Sequence, residues 1–517
     1  MSGRLFKSTA VVGGNTLISR VLGLLRDIII ARYFGAAATT DAFFVAFRIP
    51  NFFRRLFAEG AFSQAFVPVL AEVKHEGSAD DVRHLVMHAA GTLGGILLLV
   101  TIVVELAAPW VALVFGTGFY LNNPDQYALT VDMLRLTFPY LVLISLTALA
   151  GAVLNLFGRF AVPAFTPVFL NLSLIGCAVL LSPLMDEPIM ALAWGVFIAG
   201  VVQLLFQLPF LARLGLLARP RWGWRDSGVR KIMRLMLPAI LGSSVVQINL
   251  LIDTVIASFL MTGSVTWLFY ADRMVEFPLG IFGIALATVI LPRLSSQHAS
   301  ADPKAFSATL DMALRMALVI GLPAALGLAI LSTPILSTMF EYGEFAAQDV
   351  QMAALALMAL AIGLPAYILI KILAPGYYAR QDTKTPVRIA IRVIGINLVL
   401  NLIFVAGMIE LEIIGPHAGL ALASALAAWF NAGWLYRGLR HSGVLVHQTG
   451  WWRLIMQVLL ALGMMLVVLL WGIDVDAWSQ WQSPQRIAQL AIWVAAGASV
   501  YLLVLWLSGL RLRHLRG

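Results

Sequence analysis

Charge is scarce in this chain and cysteine almost absent: 12% of the 517 residues are charged and a single one, Cys177, is a cysteine. A lone thiol excludes an intrachain disulfide and a cysteine-based metal site. Inside an apolar run it reads as a small buried hydrophobe. Catalytic signatures are missing too. There is no GxxxxGK[ST] phosphate loop and no HExxH, and the eight histidines are scattered without ligand spacing. No stretch of soluble composition is long enough for a separate domain, and the first apolar run, interrupted by Arg20 and Arg26, does not read as a cleavable signal peptide.

What is present is apolar, with 61% hydrophobic residues and a mean hydropathy of +0.90. Such a composition belongs in a bilayer. A hydrocarbon core of about 30 Å takes roughly 20 apolar residues per helix. Runs of that length fall near 8–33, 38–72, 84–115, 127–157, 161–183, 188–212, 233–260, 265–292, 306–338, 348–377, 386–408, 413–436, 452–472 and 487–508. The expected fold is therefore an all-α polytopic membrane protein of about fourteen helices.

The formal charge of +9 raises the question of nucleic acid, and the distribution of the cations answers it. Most of the 35 Lys and Arg lie in alternate gaps, such as Arg213 to Arg234, Arg380 to Arg392, and Arg437 to Arg453. The intervening gaps carry acids, among them Asp125, Asp186, Glu187, Glu341, Glu344, Glu410, Glu412, Asp474 and Asp476. By the positive-inside rule both termini are expected in the cytoplasm, which requires an even number of spans. The Arg213 to Arg234 cluster reads as a topology determinant, with anionic lipid headgroups as an alternative partner.

The two halves repeat at a register of about 225 residues, carried by residues that serve backbone geometry: Pro68 with Pro292, Pro109 with Pro334, Pro139 with Pro365, Pro163 with Pro386, and Asn171 with Asn397. Six spans per unit give parallel lobes related by an axis along the membrane normal. The expected division is a first lobe at 1–228, a second at 229–446, and two appended helices at 447–517.

Several cations remain beyond those of the basic gaps: Arg20 and Arg26 in span 1, Arg48, Arg54 and Arg55 in span 2, Arg273 in span 8, and also Arg315 and Lys371 in later spans and Arg486 just before the last one. A charge deep in a bilayer costs about 2.5–3.5 kcal/mol or more, so such groups face a wet cavity or a partner. Asp41, Arg48 and Arg55 recur every seven residues and share one helical face, while Pro50 and Gly60 are expected to bend that helix. The competing reading is structural pairing with Asp27, Asp41, Glu59, Asp272 or Glu276. An arginine-lined cavity suits phosphate, because the guanidinium fork donates two parallel hydrogen bonds to phosphoryl oxygens. The cargo is expected to be anionic.

The segments ISRVLGLLRD (18–27), TDAFFVAFRIPNFFRRLFAEGAFSQAFVPVLAE (40–72), YADRMVEFPLGIFGIALATVILP (270–292) and LAPGYYARQDTKTPV (373–387) closely resemble the MurJ (MviN) lipid II flippase family of the multidrug/oligosaccharidyl-lipid/polysaccharide exporter superfamily. The resemblance implies fourteen helices in the bacterial inner membrane. It also implies alternating-access transfer of the undecaprenyl-diphosphate-linked peptidoglycan precursor, lipid II, to the periplasmic leaflet. Carried over, the family's cavity arginines match Arg20, Arg26, Arg54 and Arg273, its acidic partner matches Asp41, and Ser19, Arg48, Arg55 and Glu59 fit the pattern. The resemblance assigns spans 1, 2, 7 and 8 to the headgroup and spans 13 and 14 to a lipid-tail groove. Some members bind sodium between spans 7, 11 and 12, where Asp253, Asn397 and Asn401 supply oxygens. Asn401 stands in place of a carboxylate, and the alternative is that both asparagines hydrogen-bond helices together. Peptidoglycan synthases are candidate partners, and the expected state is a monomer. The rivals are an exporter of another anionic lipid-linked oligosaccharide, a non-transporting scaffold, and an enzyme using Asp474 and Asp476 as an acidic pair.

Overall fold

In the computed structural model the chain is helical throughout, with no strand among the described residues. The structure describes the backbone of residues 2–217, 219–478 and 480–510, and their side chains except at 2–11, 58–61, 238–239, 241–246, 284–285, 287–288 and 475–476. The main helices are α1 (Ser2–Phe34), α2 (38–76), α3 (Ala79–Leu106), α4 (Pro124–Leu156), α5 (Ala161–Leu184), α6 (Met190–Arg213), α7 (Ser227–Ser258), α8 (264–299), α9 (Pro303–Ile330), α10 (Ala347–Tyr378), α11 (Lys384–Glu410), α12 (His417–His441), α13 (Trp451–Gly472) and α14 (Ser483–Leu507). Ten of these, α3 to α6 and α9 to α14, are long and apolar enough to cross a membrane among the described residues. The other four, α1, α2, α7 and α8, each contain side chains outside the described set.

The repeat read from prolines and asparagines is visible in the helix boundaries. Helices α3 and α9 are both 28 residues long and begin at Ala79 and Pro303, offset as Pro68 is from Pro292. Each is followed by a short helix, Ala108–Phe115 and Ser332–Phe340. Each start is fixed by an acid that satisfies orphan amides: Asp81 forms a capping box with Ser78, and Asp302 accepts from the Ala305 amide at 2.9 Å. In span 2, where a bend is expected, a π-helical stretch, Arg55–Phe62, lies a few residues beyond Pro50 and spans Gly60. Its counterpart in α8, Leu279–Gly283, directly follows Pro278. Proline removes an amide donor and crowds the preceding turn, and a wider turn absorbs the misfit.

Two compact units divide at Val265 and Thr266. The boundary differs from the repeat-based one at 228 and 229 because α7, the first helix of the second repeat, packs on α2 within the first unit. In that unit α1 lies on α5, α2 on α4, and α4 on α6. In the second unit α10 is central, packed on α9 and α12, with α11 on the outside of α12. Helices α13 and α14 pack on each other and on α9 through Val319, Val458, Ala461, Met465, Leu469 and Tyr501. The Tyr501 hydroxyl donates to the Val319 carbonyl at 2.8 Å.

Candidate cargo-binding site

The arginines singled out in the sequence fall into three local settings. On α1, Arg20 is exposed and Ser19 half-buried, whereas Arg26 and Asp27 are buried at 7% and 1% exposure. Both Nε and Nη2 of Arg26 donate to Asp27 Oδ1, at 2.9 and 2.5 Å, and Nη1 donates to Asn171 Oδ1 on α5 at 3.1 Å. The Asn171 amide in turn donates to the Ser19 carbonyl at 3.0 Å. Arg26 is thus oriented by a carboxylate and an amide, and three of the five guanidinium N–H groups are engaged in these bonds. Asn171 stood out in the sequence only as one half of a repeated pair. Its role in holding α1 depends on a contact between residues far apart in the chain.

On α2, Arg48 is half-buried and its Nη1 donates to the Thr254 hydroxyl of α7 at 2.7 Å. Half-buried Arg54 donates from Nε to Asn51 Oδ1 one turn earlier, at 3.1 Å, and Arg55 at the start of the π-helical stretch is exposed. Glu59 lies in that stretch, and its side chain is outside the described residues. At the other end of α2, Asp41 is 1% exposed, and its Oδ2 accepts from the Gly263 amide at 2.7 Å. The end of α7 meets the same unit again at Gly118, whose amide donates to the Ser258 hydroxyl at 3.0 Å. A Cβ at Gly118 would stand 2.1 Å from the Ser258 carbonyl oxygen, so only glycine permits this approach. Three polar contacts, through Asp41, Arg48 and Gly118, therefore fasten the last two turns of α7 and the residues after it.

In the second unit, Arg273 on α8 is about one-third exposed, pairs with Glu276 at 2.9 Å and lies over the Phe269 ring at 5.2 Å. Asn397 and Asn401 are fully buried on α11. The third expected sodium ligand, Asp253, is half-buried on α7 in the first unit. Among the described residues no group of three or more His, Cys, Asp or Glu has metal-site geometry. Two neutral amide oxygens within one unit are a weak donor set for a cation, since oxygen-ligated sites are built chiefly around carboxylates.

Two further cations, Arg315 and Arg486, are held by carboxylates. Arg315 on α9 pairs with fully buried Asp311 at 2.9 Å; the same carboxylate takes His447 Nδ1 at 2.8 Å and the Trp451 indole at 2.7 Å. Buried Arg486 at the start of α14 reaches Glu341 Oε2 at 3.1 Å and the carbonyls of Trp481 and Ser337. These two networks hold the appended helices on the second unit. Beside the first is an apolar cavity of about 450 Å³ bounded by Leu318, Leu373, Trp429, Trp451 and Ile455. It lies at the first turns of α13, among α9, α10 and α12.

Sequence comparison decides what these elements belong to. A sequence model of the family described as "Lipid II flippase MurJ" matches residues 30–488. The chain belongs to the MurJ lipid II flippase family. Its similarity to family members runs end to end: 48% identity to a probable lipid II flippase MurJ of Vibrio cholerae, covering 100% of this chain and 98% of the relative. A lipid II flippase MurJ of Burkholderia cenocepacia is 43% identical, with 99% of each chain covered. Among solved structures, a lipid II flippase MurJ in an inward closed conformation superposes with a TM-score of 0.79 at 27% identity, over 96% of this chain and 98% of the other. An inward-facing multidrug transporter of the MOP superfamily shares the fold alone, with a TM-score of 0.69 at 15% identity. The MurJ resemblance stated from four sequence segments is thereby established for nearly the whole chain, and with it a multi-pass membrane protein of the transporter class.

Proposed function

We propose that this protein moves lipid II across the bacterial inner membrane from the cytoplasmic to the periplasmic leaflet, through fourteen spans with both termini in the cytoplasm. The observation that carries this reading is the set of arginines on α1, α2 and α8 in a chain that matches lipid II flippases end to end. Arg20 and Arg55 are exposed and Arg54 and Arg273 partly so, which lets a diphosphate reach their guanidinium groups. Arg26 acts from a fixed position, its plane set by Asp27 and Asn171.

The chemistry required is binding and release, with no covalent step. Phosphoryl oxygens accept from Arg20 and Arg273, with Arg54 assisting, and the negative charge of the cargo offsets the cost of keeping these cations in an apolar chain. Asp41 acts at the end of α7. Its bond to the Gly263 amide, with Arg48 to Thr254 and Gly118 to Ser258, fastens the outer end of α7 to α2 and to the segment after α3. Reorientation requires that fastening to open, and cargo drives it only to the extent that it binds the two states with different affinity. The undecaprenyl tail is accommodated beside α13, where the apolar cavity lies. Sodium enters no step. Protein partners among the peptidoglycan synthases and a monomeric state complete the reading.

The test is genetic replacement. A host depleted of its own lipid II flippase should grow and keep its wall when this chain is expressed. Correct insertion without rescue would transfer the assignment to another anionic lipid-linked oligosaccharide.

A further inference from the structure

The segment joining α6 to α7 reads Arg219-Pro220-Arg221-Trp222-Gly223-Trp224-Arg225, a concentration of cations and indoles that flippase chemistry does not use. It is docked through its backbone: the Arg221 amide donates to the Met87 carbonyl at 3.1 Å, and the Gly223 amide to the Thr92 hydroxyl at 3.0 Å. The surface of α3 is cut to receive it. A Cβ at Gly91 would meet the Arg221 carbonyl oxygen at 2.2 Å, and one at Gly95 would meet the Trp222 ring at 2.8 Å.

Helical periodicity shows which side of α3 this is. Positions 91, 95, 98, 102 and 106 share one face. Beyond the connector that face continues as Leu98, Ile102 and Leu106, exposed at 52%, 48% and 80%. An exposed apolar stripe on a membrane-spanning helix is a lipid-facing surface, so the connector lies on the outside of its unit. On it Trp222 and Trp224 stack at 6.2 Å between centroids and remain 60% and 50% exposed. Arg219, Arg221 and Arg225 are exposed around them. Indoles prefer the headgroup level of a bilayer, and clustered cytoplasmic cations attract anionic lipid.

We propose that this connector is a binding site for anionic phospholipid of the cytoplasmic leaflet. Phosphodiester oxygens accept from Arg219, Arg221 and Arg225, while Trp222 and Trp224 sit at the boundary with the acyl chains. The next carboxylate along the chain, Asp226, is occupied in capping α7, accepting from the Val229 amide at 2.9 Å, and its Oδ2 lies 3.6 Å from His84 Nδ1. It leaves the arginines to the lipid. The site anchors the only covalent link between the two repeats and is independent of the cargo.

The experiment uses the full chain reconstituted in nanodiscs of phosphatidylcholine with phosphatidylglycerol, released into mild detergent, and weighed with its retained lipids by native mass spectrometry. The parent should retain phosphatidylglycerol in preference to phosphatidylcholine. The variant Arg219→Gln/Arg221→Gln/Arg225→Gln should lose that preference by roughly tenfold or more, given surface electrostatics worth about a fivefold effect per cation. It should still fold, since docking uses backbone atoms. The matching Arg→Lys triple should keep the preference, because attraction to a charged surface reads charge and not the guanidinium fork. Raising salt from 50 to 500 mM during extraction should weaken retention by the parent. Undiminished phosphatidylglycerol retention in the glutamine triple, equal retention of both lipids by the parent, or salt-independent retention would each overturn the proposal.

Discussion

Replacing Asp27 with asparagine isolates the role of a buried charge. In the parent, Asp27 is 1% exposed and takes two hydrogen bonds from Arg26, itself 7% exposed, at 2.9 and 2.5 Å. Removing one member of such a pair strands the other charge where water does not reach, at a cost of about 3–5 kcal/mol. Asn171 accepts a single bond from the guanidinium and cannot neutralise it. Asp27→Asn should therefore lower the melting temperature of the purified protein strongly. The double variant Arg26→Met/Asp27→Leu should recover most of the loss, since apolar residues of similar volume often replace a buried pair at little cost. Transport separates the two roles of Arg26. If it also presents phosphate-binding N–H groups, the double variant folds but moves lipid II poorly. A purely structural arginine would let the double variant restore transport along with stability. The reasoning is refuted if Asp27→Asn melts with the parent.

Three further outcomes follow from the geometry. Gly118→Val should break the approach to Ser258, at about 1–3 kcal/mol of overpacking; an added cysteine at Ser258 should then label faster with an impermeant thiol reagent, with little background from buried Cys177. Arg486→Gln should leave Glu341 uncompensated and loosen α14, costing about 3 kcal/mol or more in a melting measurement, and Arg486→Gln/Glu341→Gln should recover much of it. Arg273→Lys should keep only part of the transport rate, because lysine retains the charge without the two-pronged donor.

The fold was legible because its determinants are local. Apolar run length gave the helices, and the spacing of Pro68 and Pro292 gave a repeat that recurs as matched boundaries of α3 and α9. Placement of α7 was not legible. Its packing on α2 depends on Asp41, Arg48 and Gly118 meeting partners far along the chain, which no periodicity encodes. The cations were legible as anomalies but not as individuals. Arg20, Arg26 and Arg315 look alike in an apolar run, yet Arg315, like Arg486 at the edge of the last run, is engaged by a carboxylate while Arg20 is exposed. Asp311 and Glu341, which decide this, are ordinary acids in the sequence.

The central claim is that arginines within the apolar runs bind the diphosphate of lipid II. Its most direct measurement is the rate at which lipid II becomes accessible on the outer leaflet in cells relying on Arg20→Ala or Arg273→Ala at parental abundance. Each variant should lower that rate by at least tenfold while melting within a few degrees of the parent. Parental rates in both variants would contradict the account.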